Sequence, residues 1–262
     1  MILYQGTVLH KHNPIPKSRV ISIVPSISWY LYDLIDPNSI VGISKFCEIP
    51  DTIHSNPIRV GGTKTPKIDK IRQLKPDLIV VNKEENTKDA VDELAKDFDV
   101  YLTDVFDLPS MFQMMLELGV LCNQQEIAEN WISKITVAYK NYKLELAIEK
   151  KVKIAYLIWK DPYMAAGKNT FIHSFLSSTG FINCFESLDR YPIVNAEMIL
   201  REKPNAILLS SEPYPFNSSH FEAFQNTPCI LVDGKMFSWY GSYLFKSFSY
   251  LNALNGKLNN IE

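Results

Sequence analysis

A seventeen-residue phrase is written twice in this chain, 128 positions apart. The copies are residues 69–85 and 197–213. Asp69 matches Glu197, Ile71 matches Ile199, Lys75 and Pro76 match Lys203 and Pro204, Ile79 matches Ile207, and Glu84 matches Glu212. Each copy reads as a short helix stopped by Lys-Pro, then a buried strand, then an acidic loop. Proline cannot continue a helix interior, and the run of apolar residues after it suits a central parallel strand. A solenoid would need several copies at a short period. A single repetition across this distance predicts two similar lobes.

The flanking sequence repeats the alternation. Strands are expected at 20–24, 40–43, 59–62, 78–81 and 100–102, and again at 152–159, 206–209 and 229–232. Helices are expected through Trp29 and Leu34, at 89–96, at 169–179 with Gly180 as the stop, at 195–202 and at 243–254. Thr65 reads as the N-cap of the helix carrying Asp69, with Pro66 at its first position. Strands alternating with helices imply parallel α/β sheets. Residues 124–150 contain neither Gly nor Pro, and Ile127, Trp131, Ile135, Tyr139, Tyr142 and Leu146 fall on one helical face. Such a helix would be roughly 40 Å long, enough to link two lobes. The expected fold is therefore α/β: two Rossmann-like lobes with parallel sheets, 1–122 and 151–262, joined by one long rigid backbone helix at 123–150.

Composition excludes several functions. Net charge is −2 and the pI is about 6.2, with no basic stripe, so nucleic acid is not an expected partner. Cys47, Cys122, Cys184 and Cys229 are scattered without a CxxC pair and read as buried, reduced thiols. The first residues are not a signal peptide, and no segment approaches the ~20 apolar residues of a membrane span. The expected location is periplasmic or lipid-anchored behind a leader upstream of Met1, or cytoplasmic if Met1 is the native start. His10, His12, His54, His173 and His220 show no metal-ligand spacing. Phosphate-loop, GxGxxG, GxSxG and HExxH motifs are missing, and Cys47 with His54 makes no recognisable nucleophile pattern. A catalytic function is not expected, and neither is a resident cofactor or metal.

In open α/β sheets ligands bind beyond the carboxyl ends of the strands. Those ends carry Ser26, Trp29, Phe46 and Lys64 in the first half, and Trp159, Tyr163, Tyr214, Trp239 and Tyr240 in the second. These nine are the candidate ligand contacts. Flat rings suit a large planar or greasy ligand, and can stack on a cation. Phe216 and Phe237 belong to the same aromatic set, with core packing as the competing role. Gly241 places Trp239 and Tyr240 in a turn. The turn 61–65 ahead of a helix could grip a carboxylate or phosphate through backbone N–H groups and Lys64, or be a tight turn with a solvated lysine.

The ordered series Ile23-Val-Pro-Ser26, Val41-Gly-Ile-Ser44, Val60-Gly-Gly-Thr63, the phrase 74–80, Asn169-Thr-Phe-Ile172, Tyr191-Pro192, Glu197 and Lys203-Pro204 resembles the helical-backbone (class III) substrate-binding proteins of ABC importers. These serve vitamin B12, haem and iron-siderophores. The resemblance covers roughly residues 19–255. It implies a cleft between two lobes holding a cobalamin-like, haem-like or ferric-siderophore ligand, and a monomer that presents this ligand to a permease. Asp69 and Glu197 fall on the acids that dock onto permease arginines in the vitamin B12-binding members, and two exposed carboxylates make a two-point electrostatic contact. First-turn acids near positive helix ends are the alternative. Where those members carry a tryptophan and a tyrosine in the first lobe, Lys64 and Ile49 stand here. A cytoplasmic corrinoid or metabolite carrier or sensor of the same fold is the second functional reading.

Overall fold

The computed structural model describes residues 1–8, 18–146, 151–224 and 227–259. His10 and His12 lie outside the described residues. Two compact units divide the chain. Met1–Val105, Pro109–Ile135 and Tyr240–Tyr243 form the first; Phe106–Leu108, Thr136–Trp239 and Leu244–Glu262 form the second.

The first unit runs β1 (Ile2–Tyr4), β2 (Val20–Ser22), α1 (Pro25–Leu34), β3 (Ile40–Ile43), β4 (Ile58–Arg59), α2 (Ile68–Leu74), β5 (Leu78–Asn82), α3 (Lys88–Leu94), β6 (Val100–Thr103) and α4 (Leu108–Leu121). Its six strands are ordered β1-β6-β5-β2-β3-β4 and every pairing is parallel. All five residues of β5 are buried, the expected pattern of a strand covered on both faces. Ile21, Ile23, Ile71, Ile79, Val81 and Leu94 belong to one core cluster. Short edge strand β1 carries no strong sequence signal, and a buried carboxylate anchors the chain that follows it. Both oxygens of Glu117 accept the Gly6 N–H, at 2.9 and 3.0 Å, and the Tyr101 hydroxyl donates to Oε2 at 2.6 Å.

Helix α5 (Gln125–Leu146) has 22 residues and so rises about 33 Å. Its residues up to Ile135 belong to the first unit and those from Thr136 to the second; 147–150, the end of the expected helix, lie outside the described residues. The buried stripe is Ala128, Ile135 and Tyr142, seven residues apart, whereas Ile127 is 38% exposed. Ile127 was expected on the apolar face; the smaller Ala128 takes that place, one residue on. In the second unit, Tyr139 and Tyr142 donate to the carbonyls of Ser178 and Thr179 at 3.1 and 2.9 Å, at the last residue of α6 (Phe171–Ser178) and just beyond it.

Around α6 the second unit places β7 (Lys153–Trp159), β8 (Tyr163–Ala165), β9 (Ile182–Asn183), β10 (Ile193–Val194), α7 (Ala196–Arg201), β11 (Ala206–Ser210), β12 (Cys229–Val232), α8 (Lys235–Ser238) and α9 (Leu244–Asn259). Strands β7, β11 and β12 form a parallel centre, β8 and β10 add antiparallel pairings, and β9 pairs in parallel with the start of β7. The sheet is therefore mixed around a parallel core.

The twice-written phrase becomes α2–β5 in one unit and α7–β11 in the other. Ile71, Ile79, Ile199 and Ile207 are all fully buried. Lys75 and Lys203 both turn the chain through left-handed backbone, at φ 45° and 50°. The equivalence extends to the loop after the strand. The Asn82 side chain accepts the Glu84 N–H at 2.8 Å, and the Ser210 hydroxyl accepts the Glu212 N–H at 3.4 Å. A short polar side chain capping the N–H two residues on is a local turn device, and both copies use it. Thr65 is not a cap. α2 begins at Ile68 with Lys67 at the N-cap and no side-chain capping bond. The chain instead folds 61–66 into a closed turn, where Gly61 pairs with Pro66.

Candidate functional site

At the carboxyl edge of the first unit, Ser26 is the second residue of α1, directly beyond β2. It is 3% exposed, and its hydroxyl has no hydrogen-bond partner among the described residues. Trp29 lies one turn along, half-buried, with its ring edge-on to Tyr243 at 5.1 Å. Tyr243 belongs to the segment Tyr240–Tyr243, which packs in this unit; next to it the Ser242 hydroxyl donates to Asp33 Oδ2 at 2.5 Å. Phe46 follows β3 and is 55% exposed, with the Lys45 ammonium 4.7 Å from its ring centre. Lys64 is exposed on the 61–66 turn.

Within that turn the Gly62 N–H is taken by the Thr65 carbonyl at 3.2 Å and the Lys67 N–H, at the N-cap of α2, by the Val60 carbonyl at 2.7 Å. Gly61 has φ +107°, and a Cβ there would lie 2.7 Å from the Thr65 oxygen, so the glycine serves the tight turn. Cys47 is likewise structural. Its sulfur lies 2.9 Å from Ser28 Oγ and 3.2 Å from Ser44 Oγ, and burial pushes the thiol up despite those hydroxyls. A buried thiol held in its neutral form is a poor nucleophile.

In the second unit, Trp159 ends β7 and is 40% exposed, and its ring meets Tyr214 edge-on at 5.7 Å. Tyr214 in turn packs on Phe216 at 4.7 Å, and its hydroxyl pairs with His220 Nε2 at 3.2 Å. Trp159 and Tyr214 thus form one aromatic platform, backed by Phe216 and His220. Tyr163, half-buried on β8, packs on Phe224 at 5.4 Å. Phe237 is fully buried and Phe216 nearly so. Both are core rings.

Trp239 is only 6% exposed, and it is held rather than presented. Its indole N–H donates to Glu212 Oε1 at 2.9 Å, and the Lys235 ammonium sits 5.1 Å from its ring centre. Tyr240, also 6% exposed, belongs to the segment that packs in the first unit. Around Glu212 the polar contacts interlock. Tyr156 donates to Ser210 Oγ at 3.2 Å, Ser210 Oγ to the Glu212 carbonyl at 2.6 Å, and the Gly234 N–H to Ser211 Oγ at 3.0 Å. Burial raises the Glu212 carboxyl above its usual range, while Lys235 and the Trp239 N–H pull it back. Glu212 and its hydroxyl neighbours were not among the candidates from sequence, although the Glu84–Glu212 match in the repeat marks the position.

Asp69 and Glu197 sit in the first turns of α2 and α7, both exposed. Asp69 pairs with Arg72 at 3.3 Å, and Arg72 also holds Glu93 at 2.8 Å and Asp97 at 2.7 Å. Among the described residues no cluster of three or more His, Cys, Asp or Glu could hold a metal ion, and no helix is long and apolar enough to cross a membrane.

Known proteins share this architecture. A curated relative, the vitamin B12-binding protein of Vibrio cholerae serotype O1, is 22% identical over 214 residues, 81% of this chain and 77% of that protein. The crystal structure of the periplasmic vitamin B12 binding protein BtuF of Vibrio cholerae matches with a TM-score of 0.76 at 18% identity, covering 94% of this chain and 99% of that one. Staphylococcus aureus IsdE, solved in complex with heme, matches with a TM-score of 0.73 at 19% identity, covering 90% and 98%. These structural likenesses establish a shared two-lobed α/β fold. The family model for periplasmic binding proteins matches residues 20–230, and the chain belongs to that family.

Proposed function

We propose that this chain is the substrate-binding protein of an ABC-type importer and that it takes a cobalamin-like, haem-like or ferric-siderophore ligand. The observation that carries the reading is the Trp159–Tyr214 platform at the carboxyl end of β7, a partly exposed aromatic surface where an open α/β sheet places its ligand. Family membership supports a binding role, and relatives named for vitamin B12 and heme support this ligand class. Ser26, Trp29, Phe46, Lys64, Tyr163, Trp239 and Tyr240 complete the proposed contact set. Among these, Trp239 is the one held by Glu212. Asp69 and Glu197, one on each repeat helix, are the proposed permease contacts. Charge reversal at both is expected to abolish transport while leaving ligand affinity unchanged.

The test is a titration of the purified protein with cyanocobalamin, haem and a panel of ferric siderophores, followed by tryptophan fluorescence and visible absorption. One ligand is expected to quench fluorescence at 1:1 stoichiometry. Trp159→Ala should weaken it by about tenfold or more, since base-sized stacking contacts contribute about 1–3 kcal/mol. A panel that leaves both fluorescence and melting temperature unchanged sinks the proposal.

A further inference from the structure

The order β6-β5-β2-β3-β4 reverses direction between β2 and β5. From β2 the chain moves outward through α1 to β3 and β4; it then returns through α2 to β5, on the other side of β2, and continues to β6. In an open parallel sheet such a reversal opens a crevice at the carboxyl ends of the two strands, and that crevice is where ligands bind. α1 starts there, and no side chain caps its N-terminus. Its N-cap, Val24, offers no side-chain bond, and its first turn has no acidic residue. Pro25 has no N–H, and among the described residues no acceptor takes the N–H of Ser26 or Ile27. The first bond closed at this end is Ser28 N–H to the Val24 carbonyl, at 2.8 Å. An exposed helix end would give such donors to water.

Ser26 itself is the second, independent observation. The residue is only 3% exposed, yet its hydroxyl has no partner among the described residues. A buried hydroxyl left without a partner is disfavoured, and one placed in the first turn of a helix stands beside the two open amides. Ten residues of helix dipole add positive potential at the same point. We propose that Ser26 Oγ–H and the N–H groups of Ser26 and Ile27 form a three-donor site for an oxyanion, a carboxylate or phosphate carried by the ligand. The inference builds on the binding-protein reading and narrows it to ligands with an acidic group. Neutral or purely cationic ligands leave the donors unmatched.

Amide chemical shifts of the 15N-labelled protein, titrated separately with citrate and with inorganic phosphate, provide the test. At least one anion should move the Ser26 and Ile27 amides saturably, and the two arms separate carboxylate from phosphate preference. Ser26→Ala is expected to fold normally, with an unchanged or higher melting temperature, and to bind that anion about tenfold more weakly, the scale of one hydrogen bond to a charged group. Ser26→Asp supplies its own carboxylate and should abolish the shifts. The site is overturned if neither anion moves these amides, or if Ser26→Ala binds with unchanged affinity. Saturable anion shifts without binding of any ligand in the cobalamin, haem and siderophore panel would leave the oxyanion site standing and remove the ligand reading. Panel binding without anion shifts would do the reverse.

Discussion

Replacing Glu117 by alanine should release the N-terminal edge of the first unit. Glu117 is fully buried, and it joins three places in the chain: Gly6 just after β1, Tyr101 on β6 and its own helix α4. The carboxylate accepts one backbone N–H on both oxygens and a phenol at 2.6 Å. Hydrogen bonds to a charged group contribute about 1.5–3 kcal/mol each, and truncation also leaves the buried Tyr101 hydroxyl without its acceptor, a further penalty of about 1–3 kcal/mol. The terms overlap, so the expected loss is about 3–5 kcal/mol. Tyr101→Phe removes one donor and leaves the Gly6 bond, so about 1–2 kcal/mol is expected. Urea unfolding followed by circular dichroism gives the totals. Hydrogen exchange at residues 2–6 gives the local effect, which matters because a chain of two units need not unfold in one step. A Glu117→Ala loss below about 1 kcal/mol, or unchanged protection of β1, would refute the assignment of Glu117 as the anchor.

Glu212→Gln should flatten a pH dependence. Burial raises the Glu212 carboxyl, so its contribution to stability is fully present below the ordinary carboxylate range and is lost as pH rises through the raised value. Asp233 adds to that rise, while Lys235 and the Ser238 and Trp239 donors oppose it. Glutamine keeps an acceptor for the Trp239 indole but cannot ionise; unfolding curves between pH 4 and 8 that keep the same slope would count against this. Gly234→Ala should destabilise the second unit by about 1–3 kcal/mol, because the new Cβ would overlap Ser210 Oγ and lie 2.7 Å from Glu212 Cγ. A shift in Trp239 emission should accompany the loss of stability. The thiols should resist alkylation of the native protein at pH 8. Burial holds Cys47 above its usual range and pushes Cys122 up to about 12 and Cys184 and Cys229 to about 11; rapid labelling of Cys47 without unfolding would contradict the hydroxyl cage.

The framework was legible where the signal was long or repeated. Parallel centre strands such as β5 and β11 are buried on both faces, so their apolar runs stand out, and each is delimited by Lys-Pro ahead of it. Strands β8, β9 and β10 have only two or three residues and owe their conformation to β7 or to each other, which no local pattern reports. Helix α4 passed unnoticed because it has little polar face: Met111, Met114, Met115, Leu118 and Leu121 are all buried. Thr65 misled because a good capping residue followed by proline is also what a closed turn uses.

The strand-end loops were legible in place but not in detail, and the repeat explains why. Both copies keep what the backbone requires at the strand end: a left-handed Lys before Pro, a buried strand and a polar side chain that caps the N–H two residues on. Beyond that, the units diverge. Asn82 is tied to Thr103 at 3.1 Å and receives a cap from Asn86, whereas Ser210 is tied to Tyr156, and Glu212 reaches Trp239. None of these partners lies within the repeated phrase as a matched pair. Duplication therefore transmits the scaffold that aims a loop, while the residues that give each loop its chemistry come from elsewhere in its own unit. Ligand identity depends on that second set. It has to be read from which rings, hydroxyls and amides remain open at each strand end; the proposed ones are the Trp159–Tyr214 platform in one unit and the start of α1 in the other.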